Sequence, residues 1–113
     1  FNKTSGAGTD AQGIVSATQK WGLNSQMLTG ASTIAASLQA GKHVLAAVGP
    51  SRFINAPYTH EIVLHGYDNG KTYVRDPFNA ANNGWYGIDY IHSLKSTDPM
   101  DTKLGSPFFS IFA

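Results

Sequence analysis

The dipeptide Asn69-Gly70 constrains this chain more than any other feature. It lies between two runs rich in apolar and β-branched residues, 60–67 and 71–76. Asn-Gly in that setting is a strong hairpin signal, because both central residues of a tight turn need a positive φ. The spacing predicts an antiparallel pair, strand 60–67 against strand 71–76, around an Asp68-Asn69-Gly70 turn. Pro77 has no N–H to donate and ends the second strand. A lone hairpin is marginal in water, so other elements must cover it.

Two helices precede the hairpin. Thr9 and Gln12 fit a capping box, Ile14, Val15, Thr18 and Trp21 follow at helical spacing, and Gly22 closes a helix over 10–21 with one buried face. Ser32–Ala40 carries an apolar stripe of Ile34, Ala35 and Leu38 and ends at Gly41. Val44–Val48 is a short buried strand stopped by Gly49-Pro50, and 107–112 is a closing strand. Residues 88–94 fit a strand or a short helix, and 1–8, 51–58 and 78–87 read as loops, with 1–8 a loop or a truncated end. Helices followed by a mostly antiparallel sheet indicate an α+β domain, and 113 residues allow one such domain, spanning 1–113.

Composition narrows the function. A formal net charge of +1 and no basic run speak against nucleic acid as a partner. No apolar stretch is long enough to span a membrane. There is no cysteine, which removes disulfides, cysteine-ligated zinc and thiol chemistry from these residues while leaving the compartment open.

The hairpin brings His60, first in its strand, and Asp76, last in the partner strand, to one edge of the sheet. An imidazole beside a carboxylate is the base-and-orienter part of a nucleophilic triad. It is equally the composition of an ordinary cross-strand polar pair. His65 falls on the opposite face of the strand and reads as a partly buried structural histidine. His60, Glu61 and His65 do not make a metal site, because a strand turns neighbouring residues apart and no HExxH helix is present. No metal or other cofactor is expected. Ser5, in a Gly-rich polar segment, lacks the strand–turn–helix setting of a nucleophile and reads as loop. Trp85 reads as core, and Tyr58, two residues before His60, as a substrate-groove residue.

The stretch from His60 to Pro77 resembles the second half of bacterial C39-like, papain-type cysteine peptidases. In these a His opens an apolar strand, a Gly-Tyr-Asp turn follows, and the next strand ends in Asp-Pro. Leu38-Gln39-Ala40-Gly41-Lys42-His43-Val44 resembles the family's entry into its central strand, with His43 where a Pro is usual. Gly13-Ile14-Val15 through Leu23 matches more loosely.

The resemblance implies a papain-like cysteine peptidase half acting as a peptide or amide hydrolase, with His60 as general base and Asp76 orienting it. The family's nucleophile lies in a Cys-Gly-Pro segment near the domain's N-terminus, after a glutamine of the oxyanion hole. Neither is present here, so the cysteine is expected upstream of Phe1. The alternative is a degenerate module that binds a peptide or a protein partner without cutting it. The implied substrate is a cell-wall or leader peptide, and the implied setting is secreted or on the surface of a Gram-positive-type bacterium. The apolar strands 44–48 and 62–64 are expected to need cover from the missing N-terminal subdomain or a second copy.

Overall fold

The computed structural model describes residues 19–51, 53–54, 60–77, 79–97, 102 and 105–112. Six strands form one sheet: β1 (Asn24–Leu28), β2 (His43–Val48), β3 (His60–Asp68), β4 (Lys71–Arg75), β5 (Gly84–Gly87) and β6 (Phe108–Phe112). Among the described residues two complete helices accompany them, α1 (Ala31–Gln39) and α2 (Ile88–Ser93), with a 3-10 turn at Ala80–Asn82. The strand order is β1-β6-β2-β3-β4-β5, and every neighbouring pair is antiparallel.

The α+β class stands, but the helices do not simply precede the sheet. β1 comes before α1, and α2 lies between β5 and β6. β1 and β5 escaped the sequence reading because neither looks like a strand: Asn24-Ser25-Gln26 is polar, and Gly84-Trp85-Tyr86-Gly87 is short and bounded by glycine. Each is an edge strand held by one neighbour, so pairing overrides weak local preference. Residues 88–93 resolve to helix. The helix expected over 10–21 falls mostly outside the described residues. Its last part, Gln19 and Lys20, is helical, but Trp21 is 76% exposed rather than on a buried face.

One face of the sheet packs on α1 and α2. Alternation along each strand aims Val44, Ala46 and Val48 of β2, Ile62 and Leu64 of β3 and Val74 of β4 at Ile34 and Leu38 of α1 and Ile91 of α2. The other face carries a smaller cluster built on Leu45 and Phe109. In the strands expected to need an external covering layer, Val44, Val48, Ile62 and Leu64 are fully inaccessible on the helix-packed face, while Val63 on the other face is half-buried.

Candidate active site

The position of the candidate pair follows from how β3 and β4 are joined. Asn69 and Gly70 have φ of 48° and 81°, which makes the connection a two-residue type I′ turn flanked by Asp68 and Lys71. A regular ladder running back from that turn would set His65 opposite Val74. Asp76 would then lie opposite Val63, on the face away from His60. A one-residue shift of register means that His65 pairs with Tyr73 instead. One residue of slip moves every side chain to the other face, so the bulge turns Val74 into the core and sets Asp76 beside His60.

Gly66 makes this possible. Its φ of 76° suits glycine. The buried Thr72 hydroxyl bonds to the carbonyls of Gly66 (2.9 Å) and His65 (3.2 Å), tying the irregular segment to β4.

His60 Nε2 lies 2.6 Å from Asp76 Oδ1, and the side chains are 7% and 0% exposed. An ionised carboxylate only accepts, so the neutral tautomer that makes this bond carries its proton on Nε2 and leaves the lone pair on Nδ1. The segment after β4 holds the carboxylate in turn. The Asn79 N–H donates to Oδ1 (3.2 Å), the Asn82 side-chain amide donates to Oδ2 (3.0 Å), and the Asp76 N–H donates to Asn83 Oδ1 (2.7 Å). A buried carboxylate that accepts from His60, Asn79 and Asn82 is solvated by the protein instead of by water.

The sequence profile of the Peptidase_C39 like family matches residues 1–96. The chain belongs to that family. Its structure resembles the crystal structure of a candidate C39-like peptidase from Bacillus anthracis, with a TM-score of 0.68 and 18% identity over 96% of this chain. The chain spans 62% of that protein's length. At this identity the likeness shows the fold. No curated protein sequence matches the chain.

In this C39-like chain the hairpin joins His60 and Asp76 as the sequence reading expects. Tyr58, the expected groove residue, and Ser5 lie outside the described residues. Asn79, Asn82 and Asn83 were missed. Their signal was the Asn-rich stretch after Asp76-Pro77, which reads only as a loop until its amides are seen to converge on one carboxylate. Trp85 is not core: it is 51% exposed and packs edge-on against Tyr73, because β5 is an edge strand and turns this position away from the helices.

On the opposite face of the sheet His65 lies between His43 and Tyr73, with ring centroids 5.7 Å and 5.2 Å away. Burial holds the His65 pKa below its ordinary value of 6.5, and the charges of His43 and Arg75 lower it further. The charged form is thus disfavoured in the folded state. Below about pH 6.5 the unfolded chain takes up this proton first, so stability falls on acidification through the folded pKa and is independent of this group above 6.5. Urea unfolding across pH is expected to show a smaller acid-side loss in His65→Gln than in the wild type. An identical loss in both would rule out His65 as its source.

Proposed function

We propose that this chain is the base-bearing, sheet half of a papain-type, thiol-dependent peptide or amide hydrolase, with His60 as general base and Asp76 as its orienter. The observation that carries the reading is the buried 2.6 Å contact between His60 Nε2 and Asp76 Oδ1. Membership of a C39-like peptidase family supports it. The chain has no cysteine, so the attacking thiol comes from sequence outside these 113 residues.

In the proposed reaction His60 Nδ1 takes the thiol proton, and the carboxylate of Asp76 stabilises the imidazolium that forms. The thiolate adds to the scissile carbonyl carbon. As the C–N bond breaks, the imidazolium returns its proton to the departing amine and leaves a thioester. A water molecule, giving its proton to Nδ1, then attacks the thioester carbonyl. The acid is released, and the proton goes back to the sulfur. Tyr58 is proposed to line the substrate groove, and a peptide is the substrate class that the family supports. A secreted or cell-surface setting is part of the proposal.

A second reading is favoured by one observation, the cysteine-free sequence: a peptidase fold that holds a peptide without cutting it. Peptide cleavage by a longer, cysteine-bearing form of the protein separates the two. Removing a positioned general base costs roughly 10²–10⁴-fold, and His60→Ala is expected to lose at least that much of kcat/KM. Equal cleavage by the wild type and His60→Ala would refute the catalytic role of His60.

A further inference from the structure

The turn that follows β4 does more than change the chain's direction. Three asparagines in five residues, Asn79, Asn82 and Asn83, all bond to Asp76, through a backbone N–H, a side-chain amide and a side-chain carbonyl respectively. They act at different points. Asn83 holds the acid's own backbone N–H, and Asn79 shares Oδ1 with His60. Asn82 takes Oδ2, the oxygen that His60 does not use, so its bond opposes rotation of the carboxylate from the far side.

Asn82 is itself fixed. It is 8% exposed, its N–H bonds to the carbonyl of Asn79 (3.0 Å), and its own carbonyl accepts from the Tyr86 hydroxyl (2.8 Å). Tyr86 belongs to β5 and packs edge-on against the buried Phe53. The chain of contacts therefore runs from β5 through the turn to β4 and on to the base on β3.

We propose that Asn82 is a positioning residue for the His60–Asp76 pair. Its amide holds Oδ1 toward His60 and stabilises the carboxylate as an anion. A neutral donor suits this place. It lowers the proton affinity of a buried carboxylate by bonding to the charged form, whereas a cation would compete with the imidazolium for the same negative charge. Among the described residues His60 is the titratable group hydrogen-bonded to this carboxylate. Arg75, next in the chain, lines a groove with His43 and His65, and Asp76 and Asn83 border the same groove. The catalytic meaning of the role rests on the reading of His60 as a base.

The test uses this chain and needs neither nucleophile nor substrate. The imidazole nitrogens and Cε1–H of His60 and the side-chain amide of Asn82 are followed by NMR as pH is lowered. In the wild type the Asn82 amide is expected to shift with the same acid-side midpoint at which the His60 ring loses its carboxylate partner. In Asn82→Ala that midpoint is expected to rise by about one pH unit, tenfold in proton affinity, and Asn82→Gln is expected to restore part of it. A residue that only supported the fold would lower the melting temperature and leave the midpoint where it was, and that outcome overturns the proposal. If Asn82→Ala does not fold, the wild-type titration decides: an Asn82 amide insensitive to the acid-side step equally overturns it. Failure of a longer form to cleave peptide would refute the hydrolase reading and leave this titration untouched.

Discussion

Asp76→Ala is expected to lower the stability of the chain by about 2–5 kcal/mol, because buried donors lose the carboxylate that accepts from them. The side chain is fully buried, and its loss deprives three donors of their acceptor: His60 Nε2, the Asn79 N–H and the Asn82 amide. Each donor left dry costs about 1–3 kcal/mol, although relaxation of the turn and entry of water limit the sum. Asp76→Asn is expected to recover much of the loss. An amide oxygen can take the Oδ1 position and serve His60 and Asn79, and the Asn82 amide can turn over to accept from the new NH2. Urea unfolding of the three proteins measures this. If Asp76→Ala unfolded like the wild type, the carboxylate would not be the buried hub that its contacts describe.

The second large effect belongs to the core beneath the site. Ile62 is fully inaccessible, pairs with Ala46 of β2 and, by continuation of the β3–β4 register, lies opposite Asp76. Ile62→Ala is expected to cost about 2–5 kcal/mol and Ile62→Val about 0.5–1.5 kcal/mol, reflecting lost burial and a cavity that rigid strands cannot close. Because Ile62 is two residues from His60 on the same face, the alanine variant is also expected to weaken the His60–Asp76 contact, visible in the His60 ring resonances. Denaturation midpoints that failed to rank wild type, Ile62→Val and Ile62→Ala in that order would contradict this packing.

Much of the site was legible because its main determinant is local. Asn69-Gly70 dictates the turn, and strands of known length then bring His60 and Asp76 to one edge. The expected three-residue turn and the observed two-residue turn with a one-residue bulge lead to the same register. Both paths therefore bring His60 and Asp76 together. The bulge at Gly66 was not legible, since one glycine in a strand does not say which way the register slips. The Asn79–Asn83 cradle was illegible for another reason. Its bonds depend on where the 3-10 turn places each amide, which composition does not encode. β1 and β5 were missed because edge strands take their conformation from a neighbour, and Trp85 followed β5 to the surface.

In the proposed mechanism the His60–Asp76 pair activates a thiol from outside these residues. The most direct test is the alkylation rate of that cysteine, in a longer form of the protein, as a function of pH. Thiolate reactivity is expected to appear well below the free-thiol value of about 8.5 in the wild type and to return to about 8.5 in His60→Ala. The same profile in both proteins would contradict it.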